Sequence, residues 1–114
     1  MVEGIPIMIT YHQVPADEFD QAAPSYLPVD YETEGFIHTT RPAERVAQIA
    51  NKHRRADPRP FLLVTIDLER LAVPWRYDAA GEDFPHIYGP LNREAVVEVR
   101  PFPREADGTF LAIG

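Results

Sequence analysis

The spacing of apolar residues predicts short strands separated by many loops. Residues 61–66 form a nearly continuous, β-branched apolar run, which is typical of a central strand covered on both faces. Residues 5–11 predict a buried first strand that leads into His12. Shorter strands are predicted at residues 36–39, 73–77, 94–100 and 109–113, and Pro74 makes the second of these an edge or strand-start candidate.

Helical patterns occur at two places. Apolar residues repeat at helical spacing at Val46, Ala47, Ile49 and Ala50, which predicts a helix that Thr40 caps and that ends before Pro58. Pro15, with acidic residues following it, predicts a shorter helix over 14–23. Residues 25–33 are predicted as a loop, and residues 68–71 as a turn or a single helical turn.

This order of elements, β, α, β, α and then several strands, indicates an α+β fold rather than a repeating βαβ sheet. The chain has 114 residues, which suits one domain over 1–114 with a real hydrophobic core. Twelve prolines argue against a helical bundle.

Composition narrows the possible partners. The formal net charge of −7 argues against general nucleic-acid or anionic-membrane binding, and leaves a small anionic ligand with local cations as the expected partner. No apolar stretch approaches the roughly 20 residues that span a bilayer, so a cytoplasmic location is expected. There are no cysteines, which excludes disulfides, thiolate metal sites and a cysteine nucleophile. Oligomeric state is left open.

Three histidines stand in similar settings, each beside a short apolar or aromatic run. His12, His38 and His86 all fall at predicted strand ends, where a scaffold can present polar groups to a ligand. A buried structural histidine is the competing interpretation for each of them. His53 lies in the basic last turn of the predicted helix, where a cation suits the helix dipole, and is not expected in the site.

Other chemistry has less support. The three histidines could supply a zinc site by number, although no His-x-x-x-His spacing is present. Ser25 is the only serine and lacks a nucleophile-elbow motif. Glu34 and Asp67 are carboxylates that could act as bases, with solvated loop positions as the alternative.

Two segments complete the candidate site. His38, Thr39, Thr40 and Arg41 lead into the predicted helix, where backbone N–H groups, hydroxyls and a guanidinium could bind an anion. In residues 84–91 the prolines and glycine fix the backbone path, either for a tight turn or to hold His86 and Tyr88 at a cleft.

Several of these segments together resemble domain-of-unknown-function family 952. They are Tyr11-His12, Glu34-Gly35-Phe36-Ile37-His38-Thr39-Thr40, the helix through Val46 and Ala50-Asn51, residues 62–67, and Phe84-Pro85-His86-Ile87-Tyr88-Gly89-Pro90-Leu91. Thr39 stands where that family often has a cysteine. More distantly the chain resembles the ADP-ribosyltransferase superfamily, including the NAD-dependent RNA 2′-phosphotransferases.

The distant resemblance implies a fold of two small, mainly antiparallel sheets with two helices and a central cleft. It also implies that His12 binds the NAD ribose, that His38, Thr39 and Thr40 form the second binding element, and that Tyr88 or Tyr11 stacks on nicotinamide. The catalytic glutamate of that superfamily has no assigned counterpart, and the strand near His86 is where one is expected.

The leading hypothesis is therefore an ADP-ribosyltransferase-like domain that binds NAD or a related nucleotide. Its expected catalytic residues are His12, His38 and His86, and its expected cofactor-binding residues are His12, His38, Thr39, Thr40, Arg41 and Tyr88. The alternatives are a non-catalytic module for a small anionic metabolite or protein partner, and a histidine metal site.

Overall fold

The computed structural model describes residues 8–78 and 81–113, and it is α+β with antiparallel sheets. The helices in this part of the chain are α1 (Tyr31–Glu34) and α2 (Ala43–His53). The strands are β1 (Ile9–Pro15), β2 (Ser25–Tyr26), β3 (Ile37–His38), β4 (Phe61–Asp67), β5 (Trp75–Tyr77), β6 (Pro85–Ile87), β7 (Leu91–Asn92) and β8 (Val96–Pro101).

The longest sheet has the order β1-β4-β8, and its two faces contact different apolar clusters. Val64 and Ile66 of β4 belong to the first cluster, whereas Phe61 and Leu63 belong to the second. This alternation follows from the two-residue period of a strand. It confirms the prediction that residues 61–66 form a central strand covered on both faces.

Helix α2 covers the second face through Val46, Ala47 and Ala50, which are buried. The helical spacing of these residues was sufficient to predict it. The predicted cap is wrong, because the N-cap residue is Pro42 and no side chain caps the helix. Thr40 instead exchanges backbone hydrogen bonds with Tyr11 of β1, at 2.8 and 2.9 Å.

The first cluster joins the long sheet to two smaller ones, β3-β6-β5 and β2-β7. Ile37 of β3 and Ile87 of β6 are fully buried in it, beside Tyr26 of β2 and Leu91 of β7. β5 lies at an edge, as Pro74 led us to predict. The β3-β6-β5 sheet therefore has one face against the core and one face away from it.

Some predicted elements are wrong. The helix predicted over 14–23 is a single 3₁₀ turn, Ala16–Glu18, because β1 continues to Pro15 and pairs it with Phe61. The loop predicted over 25–33 contains β2 and the start of α1.

The first and last strands predicted along the chain have different outcomes in the structure. The strand predicted over 109–113 is reduced to one isolated bridge between Arg104 and Phe110. The first strand is confirmed from Ile9 to Tyr11, but it continues to Pro15, so His12 lies inside β1 and not at a strand end as predicted. The predicted beginning of the strand lies outside the described residues. Within 8–78 and 81–113, no helix has the length and apolar character needed to cross a bilayer.

Candidate functional site

Three basic side chains form one row across the β3-β6-β5 sheet. His38 is the register partner of His86, and His86 is in turn the partner of Arg76. Directly opposed residues of antiparallel strands project from the same face. The adjacent row, Ile37, Ile87 and Trp75, belongs to or packs against the first core. His38, His86 and Arg76 therefore lie on the outer face, and we call them the histidine row.

Asp78 joins two members of this row. It accepts hydrogen bonds from Nδ1 of His86 at 2.9 Å, from Nε of Arg76 at 2.7 Å and from the hydroxyl of Tyr88. These donors, led by Tyr88, lower the pKa of Asp78 to about 2, so the carboxylate is ionised at neutral pH. Because Nδ1 of His86 donates to a carboxylate, Nε2 is its remaining nitrogen.

A second carboxylate holds His38. Nε2 of His38 donates to Glu34 Oε1 at 2.8 Å, and the His38 side chain is 59% exposed. The ring of Phe36 stacks on that of His86 at 3.8 Å and lies edge-on to that of His38 at 4.6 Å. The two imidazole centroids are 5.6 Å apart. The row thus contains two neighbouring histidine–carboxylate pairs, and the Phe36 ring packs against both imidazoles.

His12 has a different environment. It is buried, its Nδ1 lies 2.8 Å from the carbonyl oxygen of His38, and its Nε2 lies 2.8 Å from the hydroxyl of Tyr26. A carbonyl only accepts, so Nδ1 carries the proton and Nε2 accepts from Tyr26. Burial lowers the pKa of His12 to about 4. His12 is therefore neutral at pH 7, and both ring nitrogens are used inside the protein.

The residues that follow His38 also turn inward. Thr39 accepts a hydrogen bond from Thr10 at 2.7 Å and donates to the carbonyl of Pro85 at 2.6 Å. Thr40 is buried as well. Arg41 donates to the carbonyl of Ile9 and, at 3.0 Å, to the hydroxyl of Tyr77. The side chains of Thr39 and Arg41 and the backbone of Thr40 link β3 and its exit to neighbouring strands, so the structure does not place these residues on the histidine row.

Tyr88 lies with the row. Besides its bond to Asp78, its ring lies under the Arg76 guanidinium, whose carbon is 4.3 Å from the ring centroid. Tyr11 lies on β1 and packs against the second core. Tyr88 is thus the tyrosine beside the candidate site.

The described residues give the zinc hypothesis no support. Within 8–78 and 81–113, no group of three His, Asp or Glu side chains is placed to hold a metal ion. His12 has no ring nitrogen left for a metal, since both are hydrogen-bonded.

One surface depression lies away from the histidine row. It has a volume of about 440 Å³, and its basic residues are Arg55, Arg59 and Arg104. Arg59 is paired with three carboxylates, those of Asp17, Glu18 and Asp57. Arg55 is paired with Asp107, and Arg104 donates to backbone carbonyls of Arg55, Arg59 and Gly108. No residue of the histidine row lines this depression.

Two residues of the site were missed in the sequence. Arg76 and Asp78 alternate with Trp75 and Tyr77, a two-residue period that would have placed both on one face of β5 or its extension. Glu34 was considered a possible base, and it lies four residues before the histidine it binds. Asp67, the other carboxylate considered, instead accepts a hydrogen bond from the backbone of Glu69.

Comparison with solved structures gives the same fold. The chain resembles the crystal structure of protein CC0527 from Caulobacter crescentus with a TM-score of 0.73 and 25% identity, covering 90% of this chain and 93% of that one. The solution NMR structure of CC0527 gives a TM-score of 0.67 at 25% identity, with 90% of each chain covered. A double mutant of CC0527 matches at 24% identity with a TM-score of 0.73, over 90% and 93% of the two chains.

A search of curated proteins gave no match. The model of the family described as "Protein of unknown function (DUF952)" matches residues 13–99, which include β3, α2 and the whole histidine row. The chain therefore belongs to the DUF952 family.

Proposed function

We propose that this protein binds NAD or a related nucleotide at the histidine row and transfers its ribosyl group, as an ADP-ribosyltransferase-like domain. The observation that carries the proposal is the row itself: His38, His86 and Arg76 share one outward face with two carboxylates and two aromatic rings. Arg76 supplies the charge for a pyrophosphate, since 69% of its side chain is exposed. Phe36 and Tyr88 supply aromatic surface for a base or nicotinamide.

Glu34 acts as the catalytic glutamate, the residue of the ADP-ribosyltransferase superfamily for which the sequence offered no counterpart. Ribosyl transfer develops positive charge on the sugar, which a nearby carboxylate stabilises. Asp78 already accepts three hydrogen bonds, whereas Glu34 accepts one from His38 among the described residues and is 39% exposed. His12 acts through His38, whose carbonyl it binds, rather than by touching the ligand.

Calorimetric titration with NAD at millimolar concentration tests binding. We expect heat of binding with the wild type, and an affinity about 10- to 100-fold lower in Arg76→Gln, because a charge-assisted hydrogen bond contributes about 1.5–3 kcal/mol. Arg70→Gln is the matched control, since Arg70 is 67% exposed, also neighbours a carboxylate, and lies outside the β3-β6-β5 sheet. No heat with folded protein would overturn the proposal, as would equal affinities in the two variants.

A non-catalytic module for a small anionic metabolite or protein partner is the second candidate. The position of the row on the outer face of the β3-β6-β5 sheet favours it, because catalytic sites are usually concave. Nicotinamide release distinguishes the two functions. Binding that weakens in Arg76→Gln without any nicotinamide release would favour the binding module over the transferase.

A further inference from the structure

We infer that the histidine row also cleaves small ribonucleotide phosphodiesters, with His38 and His86 as the proton acceptor and donor. This inference rests on the same ligand surface as the proposed function, but the reaction consumes no NAD. It depends on the two imidazoles and on the carboxylates that orient them, Glu34 and Asp78, rather than on nicotinamide recognition.

The two imidazoles each keep one nitrogen for proton transfer. His86 binds Asp78 through Nδ1, and His38 binds Glu34 through Nε2. Among residues 8–78 and 81–113, neither Nε2 of His86 nor Nδ1 of His38 has a hydrogen-bond partner, and neither is a fully buried unpartnered atom. A carboxylate behind an imidazole fixes the ring orientation and stabilises the imidazolium, as in other acid–base sites.

Their separation suits a phosphate ester. A displacement at phosphorus places the entering and leaving oxygens roughly in line on opposite sides, so two proton-transfer groups must flank the phosphate. The ring centroids of His38 and His86 are 5.6 Å apart, and Arg76 lies next to His86 in the same row. Arg76 is thereby positioned to bind the non-bridging phosphate oxygens.

The row itself provides no serine, threonine or cysteine nucleophile. The hydroxyl of Thr39 faces inward between Thr10 and Pro85, and Ser25 belongs to the separate β2-β7 sheet. The chain has no cysteine. In the proposed reaction the attacking group comes from the substrate, because a ribonucleotide diester carries one in its own 2′-hydroxyl.

In the proposed step, the 2′-oxygen attacks phosphorus while the neutral imidazole of the pair takes the hydroxyl proton. The bond from phosphorus to the 5′-oxygen breaks, and the imidazolium of the pair gives its proton to that oxygen. The products are a 2′,3′-cyclic phosphate and a 5′-alcohol, with no net proton consumed and no oxidation. The net charge of −7 disfavours long polyanions, so a dinucleotide is the expected substrate size.

The test uses the dinucleotide uridylyl-3′,5′-adenosine and follows the cyclic phosphate by chromatography. We expect cleavage with a bell-shaped pH profile, and a rate lower by about 10²–10⁴-fold in both His38→Asn and His86→Asn. His53→Asn, an exposed histidine at the end of α2, is the control and should retain the wild-type rate. Ribonuclease contamination would not follow these substitutions in parallel preparations.

Folding of each variant is checked by circular dichroism. If His86→Asn does not fold, His38→Asn alone tests the inference, because the His38 side chain is exposed and its substitution should not disturb the fold. No cleavage by the folded wild type overturns the inference, and so does cleavage that His38→Asn leaves unchanged. The NAD titration is independent of this assay. NAD binding without dinucleotide cleavage would preserve the proposed function and reject this inference, whereas cleavage without NAD binding would do the reverse.

Discussion

At the scale of single residues, His12 connects the candidate site to the stability of the protein. Its two hydrogen bonds tie β1 to the backbone of His38 and to Tyr26 on β2. Burial disfavours the charged ring by more than the hydrogen bond to the His38 carbonyl favours it, and this lowers the pKa from 6.5 to about 4. The histidine that the sequence ranked with the other two is therefore best understood as a positioning residue for His38.

This lowered pKa predicts a loss of stability under mild acid. Between pH 6.5 and about 4, the unfolded chain binds a proton at this position that the folded protein does not, so the free energy of unfolding falls as the pH falls. Integrated over that interval, the loss attributable to His12 is about 3 kcal/mol. Urea denaturation at several pH values measures it.

The substitution His12→Asn should flatten this pH dependence, because the amide can still donate to His38 but does not titrate. His53→Asn should leave the dependence as in the wild type, since that side chain is exposed. Asp57 and Asp78, whose pKa values are lowered to about 2, affect stability only at more acidic pH. An unchanged slope in His12→Asn between pH 6.5 and 4 would disprove the assignment.

At the scale of elements, local pattern predicted those that are long or buried on both sides. The spacing of apolar residues in α2 and the continuous run in β4 each depend on a single element and its period. The helix over 14–23 failed because Pro15 is paired with Phe61, a partner far along the chain. The strand over 109–113 failed because the amide side chain of Asn51 takes both backbone groups of Phe110.

The candidate site, too, depends on partners far apart in the sequence, which local pattern does not reveal. The sequence placed His38 and His86 at strand ends, but their partnership with Arg76 depends on the register of β3, β6 and β5. That register is fixed by the burial of Ile37 and Ile87, because a shift by one residue would turn these side chains away from the core. Such cross-strand pairing cannot be predicted from the local sequence around each residue.

Gly89 follows Tyr88 at the end of the β6 segment and lies close to Val73, which precedes β5. Its substitution tests whether this close approach matters for stability. Its φ is +140°, and an added Cβ would lie 2.7 Å from Cγ1 of Val73. Gly89→Ala should therefore destabilise the protein by about 3 kcal/mol, from backbone strain and overpacking together. Urea denaturation gives the value.

Gly35→Ala is the matched control. Its φ is +85° and nothing lies within 4 Å of the added Cβ, so we expect a cost of about 1 kcal/mol from backbone conformation alone. In a Val73→Ala background, part of the cost of Gly89→Ala should disappear, as in a double-mutant cycle. Equal costs for the two glycine substitutions would show that contact with Val73 is unimportant.

At the scale of the whole molecule, the β1-β4-β8 sheet separates the candidate site from the second core. The histidine row is backed by Ile37 and Ile87 of the first core. Phe110 belongs to the second, where its ring centroid lies 5.3 Å from that of Phe61 and 4.7 Å from that of Phe102. A substitution in the second core should therefore lower the stability of the protein without changing the geometry of the histidine row, whereas a substitution in the first core should change that geometry.

Phe110→Ala should reduce the free energy of unfolding by about 3–5 kcal/mol, since it opens a cavity in the second core. Leu111→Ala is the control, because Leu111 is 38% exposed and its truncation should have a small effect. In folded Phe110→Ala, the imidazole NMR signals of His38 and His86 should stay near their wild-type positions, because the sheet lies between them and the cavity.

A substitution in the first core, directly behind the histidine row, is the matching experiment. Ile87→Val should cost only about 0.5–1.5 kcal/mol in unfolding free energy, yet shift the imidazole signal of its neighbour His86, because Ile87 supports the row from beneath. If Phe110→Ala moved the two histidine signals more than Ile87→Val does, the sheet would not insulate the site from the second core. In that case the histidine row would depend on packing throughout the molecule, and loss of ligand binding in a destabilised variant could not be assigned to the row alone.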